Sequence, residues 1–235
     1  MPAHGRVAGR LGILGVGVAA ACGAACVVQP AGLAAQEVVP RFPNGSVVIL
    51  TPVQSTSPLD DGSWPGLENS EDEALRAMDA ELEFALGERR SAEDWVLPSD
   101  LERAAARNPT LGITPTRLAY TPLLTPIEDS KYIPEPLHSE LRSMAALYDT
   151  RYVVVPVRLM VETEPVDAAR SGAEVAFAGG DAVAPAYRAS LLVALIDIRR
   201  SDVLWLGEIS GDPGPPDSGS LLATLAERVA SRLAP

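Results

Sequence analysis

The chain has 235 residues, 47% of them apolar and 21% charged, with 31 acidic against 19 basic side chains and a net charge of −12. This is the composition of a globular protein able to bury a real core, which argues against disorder throughout. The negative charge repels phosphate backbones and anionic membrane surfaces, and no basic patch with interleaved aromatics offsets it, so nucleic acid is not an expected partner.

The first 35 residues stand apart. Arg6 and Arg10 precede an uncharged run from Leu11 to Val28, and no acidic residue occurs before Glu37. This pattern predicts a signal peptide over residues 1–35, with cleavage near Ala34 or Ala35. The run is long enough for a membrane span, but its many Gly and Ala make it only weakly hydrophobic, which leaves a retained anchor as the alternative to cleavage. Gly12, Gly15 and Gly17 lie in it and precede no strand-to-helix unit, so they are not a phosphate loop. Both cysteines, Cys22 and Cys26, also fall there. Ordinary cleavage would therefore leave no thiol for a disulfide or a metal. Ala19-Ala20-Ala21-Cys22 and Gly23-Ala24-Ala25-Cys26 are similar to weak bacterial lipoboxes, which makes Cys22 the candidate lipidation site.

Residues 36–45, with Pro40 and Pro43, read as a linker to a single domain over 46–235. Val47-Val48-Ile49-Leu50 is apolar on both faces, as a central strand is, and Pro52 ends it. Residues 55–70 read as a surface loop carrying Trp64. Ser70 with Glu73 forms a capping box for a helix through Leu75, Met78, Leu82 and Leu86, with Gly87 as its C-cap. Trp95-Val96-Leu97 reads as a short strand. Ser99 with Glu102 repeats the capping box and opens a second helix that must stop before Asn108-Pro109.

Residues 109–136 contain six prolines, which predicts a long segment with only brief regular structure. Leu137, Leu141, Met144 and Tyr148 mark a third helix. Tyr152–Val161, Tyr187–Ile198 and Val203–Ile209 are strand-like. The last two are joined by Arg199-Arg200-Ser201-Asp202 as a hairpin. Between the first two lies an insertion, residues 165–185, expected to be flexible around Gly179-Gly180-Asp181. Leu222, Leu225, Val229 and Leu233 line a closing helix. The order β-α-β-α-α-β-β-β-α predicts an α/β (α+β) fold, one mixed sheet with packed helices. Val48, Leu50, Val153, Val155, Leu195 and Leu204 are its expected core.

Catalytic and metal constellations are sparse. Outside the signal there is one histidine, His138, expected on the surface, so a Ser-His-Asp triad or a zinc set has almost no material. Gly207-Glu208-Ile209-Ser210-Gly211 lacks the spacing of a nucleophile elbow. Asp60, Asp61, Glu68, Glu71, Asp72 and Glu73 lack the alternation of a calcium loop, and acids at a helix start are already favoured by its dipole. Glu162 and Glu164 share a strand face and read as solvation more readily than as a catalytic carboxylate pair.

Val47-Val48-Ile49-Leu50-Thr51-Pro52-Val53, Asp149-Thr150-Arg151-Tyr152-Val153-Val154-Val155, and Leu195-Ile196-Asp197-Ile198-Arg199-Arg200-Ser201-Asp202-Val203-Leu204-Trp205 together carry a family resemblance. The chain resembles the bacterial envelope domains shared by the amino-terminal domain of the Tol-Pal translocation protein, the penicillin-binding-protein activator lipoproteins and the curli secretion-channel lipoprotein. Asp149 stands where those families usually have Gly, and Ser201-Asp202 replaces their hairpin Thr-Gly. The resemblance covers most of residues 45–235 by order of elements. It implies a non-catalytic domain that contacts other envelope proteins, and it supplies no catalytic residue.

The expectation is thus an exported protein, periplasmic or attached to the outer membrane, acting as a protein-interaction domain and not as an enzyme. It needs no cofactor, its partners are envelope proteins, and it touches membrane only through a lipid anchor. The alternatives are a periplasmic small-ligand or calcium-binding module and a hydrolase with an unrecognised acidic site. Trp64, Leu118, Tyr120, Leu124 and Tyr132 are the candidate partner-binding residues, since a Pro-rich apolar loop makes a preorganised docking surface. The competing reading is that the same segment covers the sheet.

Overall fold

In the computed structural model the described residues are 39–59, 64, 71–89, 94–124, 132–164, 186–215 and 218–234. They form one six-stranded mixed sheet with helices on both faces. The strands are β1 (Val47–Leu50), β2 (Thr56–Ser57), β3 (Asp94–Val96), β4 (Tyr152–Glu164), β5 (Ala186–Asp197) and β6 (Asp202–Ser210). The helices are α1 (Glu71–Gly87), α2 (Pro98–Arg107), α3 (Leu137–Leu147) and α4 (Ser218–Leu233). No helix among the described residues is long and apolar enough to cross a membrane.

The sheet order is β3-β1-β4-β5-β6. β1 runs parallel to both β3 and β4, whereas β4, β5 and β6 form an antiparallel meander. The expected α/β class and element order hold, with β2 as an addition. Pro52 does interrupt the first strand, but Gln54 N–H donates to the Pro156 carbonyl and Leu159 N–H to that of Ser55, so the chain stays on β4 and pairs again at Thr56. A two-residue strand has no periodicity of its own and leaves no sequence signal.

Both faces of the sheet are buried, giving two cores where one was expected. Val48, Leu50, Val154, Leu159, Leu191, Val193, Leu195 and Trp205 face α1 and α4. Ile49, Val153, Val155, Val157, Ala194, Ile196 and Val203 face α2, α3 and the Pro-rich segment. The register shift between Pro156 and Arg158 moves odd-numbered β4 residues from the second core to the first, a bulge effect. Gly211 lies under α4 at the edge of the first core: a Cβ there would lie 3.2 Å from the backbone of Leu225, so the missing side chain lets the helix pack closely on the strand end.

Three local expectations are corrected. α2 begins at Pro98 with Leu97 as its N-cap, and no side-chain cap bond is made. Ser99 lies inside the first turn, where its N–H donates to Glu83 Oε1 on α1 at 2.6 Å. A carboxylate from the neighbouring helix thus supplies the acceptor that a capping box would have provided. Residues 39–45 are also more than a linker, because Phe42 is buried and meets Trp95 and Tyr152 edge-on at 5.8 and 5.5 Å between ring centroids.

Leu204 is the third correction: it is exposed, while Val48, Leu50, Val153, Val155 and Leu195 are fully buried. Leu195 pairs with Trp205 but Ile196 pairs with Val203, so Leu204 is the extra residue of a bulge and drops out of the alternation. The signal segment 1–35, Cys22, Ser70 and the insertion 165–185 lie outside the described residues. Truncating Leu195 to Ala should cost about 2–5 kcal/mol in a denaturant titration, whereas the same change at Leu204 should cost below about 1 kcal/mol; equal costs would contradict the bulge.

Candidate functional site

The Pro-rich segment is fastened to the sheet by polar side chains. Gln54, buried in the connection between β1 and β2, donates from Nε2 to the Pro52 and Pro115 carbonyls at 2.6 and 2.9 Å and accepts the Leu118 N–H on Oε1 at 2.8 Å. Glu140 on α3 accepts the Ala119 N–H at 2.8 Å. A proline-rich chain has few N–H groups to offer a ladder, so side-chain amides and carboxylates take that part. Among its described residues two 3-10 turns form, Pro109–Leu111 and Thr121–Leu124.

This arrangement decides where the candidate binding residues lie. Leu118 is 5% exposed and belongs to the second core, against which the half-buried Tyr120 and Leu124 also pack. Trp64, at 7%, is in the first core. These four are packing residues because each face of the sheet needs a cover. Tyr132 alone of the five is on the surface, at 67% exposure, bridged to Asp202 at the start of β6.

The turn of the β5–β6 hairpin is built around a buried carboxylate. Asp197, 2% exposed in its side chain, accepts from Arg151 Nε and Nη2 at 2.9 and 2.5 Å and from the Arg199 and Arg200 N–H groups at 3.1 and 3.3 Å. Burial works to raise this carboxyl, but the Arg151 hydrogen bond and charge and the two backbone donors outweigh it and hold the pKa below the ordinary range. On the other side of the turn, the Thr150 hydroxyl donates to the Val47 carbonyl and ties the entry of β4 to β1.

His138 is corrected from a solvated residue to a half-buried one. Its side chain is 20% exposed, Nε2 lies 2.9 Å from Ser201 Oγ and Nδ1 3.3 Å from Glu135 Oε1. With Nδ1–H donated to Glu135, Nε2 accepts from the Ser201 hydroxyl, and the turn is pinned to α3. Ser201 and Asp149 are the non-glycine residues with left-handed backbone among those described, at φ 58° and 45°. Asp149 stands where the resembled families usually have glycine, and both residues are held in a conformation that glycine adopts freely.

The acidic candidates are scattered. Glu71, Asp72 and Glu73 are exposed in the first turn of α1, Asp60, Asp61 and Glu68 lie outside the described residues, and Glu164 pairs with Arg188 while Glu162 is exposed. No group of three potential metal ligands occurs among the described residues.

No protein-family model and no curated protein matches the chain. Similar solved structures include the LpoB C-terminal domain from Salmonella enterica, 14% identical over 72% of this chain and 84% of that one, with a TM-score of 0.34. A lipoprotein from Neisseria meningitidis is 16% identical over 80% and 96%, with a TM-score of 0.37. The PelC dodecamer from Paraburkholderia phytofirmans is 14% identical over 83% and 94%, with a TM-score of 0.33.

One further carboxyl is strongly displaced. Asp79 on α1 accepts the Val53 N–H at 2.8 Å, and burial, with Glu102 and Glu83 adding to it against that hydrogen bond, pushes its pKa up to about 7. A carboxyl with a raised folded pKa binds its proton more tightly when folded, so its contribution is present at low pH and lost as pH rises from about 4 to about 7, an effect of a few kcal/mol at most. Asp79→Asn keeps an acceptor for Val53. It should flatten that part of the stability-pH curve and raise the melting temperature at pH 8; an unchanged curve would contradict the burial of this group.

Proposed function

We propose that this chain is an exported envelope protein whose folded domain works by contacting another protein, and that the contact runs along the outer edge of β6. The observation that carries this reading is the contrast between the two edges of the sheet. β3 closes one side with only three residues, Asp94–Val96, a length that offers little to a stranger. β6 ends the other side with nine residues, Asp202–Ser210. Tyr132 and Ile133 cover its first residues through the Tyr132–Asp202 bridge and the Ile133 N–H to Ser201 carbonyl bond, and among the described residues no strand lies beyond it.

The bulge leaves Leu204 on this edge strand 36% exposed, and Leu206 is only partly buried. A row of backbone groups flanked by apolar side chains suits an extended peptide that adds as a further strand, with main-chain bonds giving affinity and side-chain pockets giving selectivity. In this reading residues 1–35 serve export, Cys22 is the point at which a lipid would hold the protein to a membrane, and the domain itself performs no chemistry.

A photo-crosslinking residue placed at Leu204 should capture an extended segment of an envelope protein in cells. The same residue at Phe84 on α1, which is 68% exposed, should not. With the crosslinking residue moved to Leu206, Leu204→Glu should abolish the adduct at an unchanged melting temperature. Capture at Phe84 with none at Leu204 would overturn the assignment of the edge.

A further inference from the structure

Between α3 and the hairpin turn lies a hollow of about 410 Å³ lined by His138, Arg142, Asp149, Thr150, Arg199 and Ser201, with short apolar side chains at its base. We infer that this hollow binds a small oxyanion carrying two negative charges, a phosphate group or a dicarboxylate. The proposal does not rest on the β6 edge.

Charge distribution is the first argument. Acidic residues outnumber basic ones by 31 to 19 in the chain, yet two arginines line this hollow against a single carboxylate residue, Asp149. The nearby Arg151 and Arg200 are committed to the buried Asp197, at 2.5 and 3.9 Å. Arg142 and Arg199 are not. Arg142 makes no ion pair among the described residues, and Arg199 has only Asp149 at 3.6 Å, a carboxylate 98% exposed and therefore a weak counterion. Two arginines on the lining of one space offer planar donor forks of the kind that suits an oxyanion able to accept bidentate bonds.

The second argument is backbone strain at the rim. Asp149 and Ser201 both hold left-handed φ values where glycine would be the low-cost residue, and both line this hollow. Strained non-glycine residues persist where their side chains are used. Ser201 brings a hydroxyl, positioned by His138, to one lip. Asp149 stands at the other, where it occupies Arg199 when no ligand is present and would be displaced by one. The volume falls within the range of small-molecule sites and admits a phosphate monoester or a four-carbon dicarboxylate.

The backbone supplies fold-neutral variants, because glycine at 149 or 201 relieves strain. Titrations of the purified folded chain with inorganic phosphate and, separately, succinate, at constant ionic strength and followed by NMR of the arginine side chains, should saturate for at least one of the two. Saturation by phosphate identifies a tetrahedral ligand, and saturation by succinate a planar one. Affinity should fall at least tenfold in Arg142→Ala/Arg199→Ala, fall in Ser201→Gly, and rise severalfold in Asp149→Gly, which removes the competing carboxylate. Arg103→Ala, on α2, should change nothing. Failure of both titrations to saturate, or equal affinity in the double variant and the parent, would overturn the site.

Discussion

A sheet with two apolar faces must be covered on both, and the rest of this structure follows from that constraint. β4 and β5 carry buried side chains in both directions along almost their whole length. Each side chain of Leu or Ile size left in water would cost about 1.5–3 kcal/mol, so neither face can remain open. α1 and α4 pack together over the first face. The second face receives α2, α3 and, because two short helices do not span it, the Pro-rich segment. That segment looks like a loop by composition and acts as a wall.

Polar side chains make the wall hold. Gln54 satisfies a buried N–H and two buried carbonyls with one amide, and Glu140 takes another N–H. Burying such groups unpaired would cost about 1–3 kcal/mol each, which is why the covering segment is anchored at defined points. The same economy appears at the hairpin turn, where Asp197 satisfies two backbone donors and Arg151 at once. Among the described residues no strand lies beyond β6, and the proposed contact and the proposed ligand site are assigned to that edge and to the hollow beside the turn.

The legible part of the fold was the part written in periodicity. The apolar run 47–50, the helical spacing of Leu82 and Leu86, and the 203–209 strand following a four-residue turn each announce an element from a few neighbours. The hidden part depended on partners far away in sequence. The Ser201–His138 bond spans 63 positions and the Gln54–Leu118 bond 64, and neither Gln54 nor Ser201 sits in a recognisable motif. Leu204 reads as core because strand alternation is local, whereas the bulge that expels it is a property of the pairing with β5. Trp64 reads as exposed because it lies in a polar loop, although a large aromatic gains most by reaching a core. The two departures from the resembled families at Asp149 and Ser201 were visible in the sequence, but their left-handed backbone was not.

The central claim is a division of labour between a Pro-rich segment that is structural and a sheet edge that is available. Residue-resolved hydrogen exchange on the isolated protein tests it most directly, since protection reports the free energy of opening at each amide. The amides of Leu118, Ala119 and Leu123, held by Gln54, Glu140 and the Tyr120 carbonyl, should exchange as slowly as those of β4, while the β6 amides that do not face β5 exchange fast. Rapid exchange at Leu118 and Ala119 together with protected amides along the whole of β6 would contradict the account.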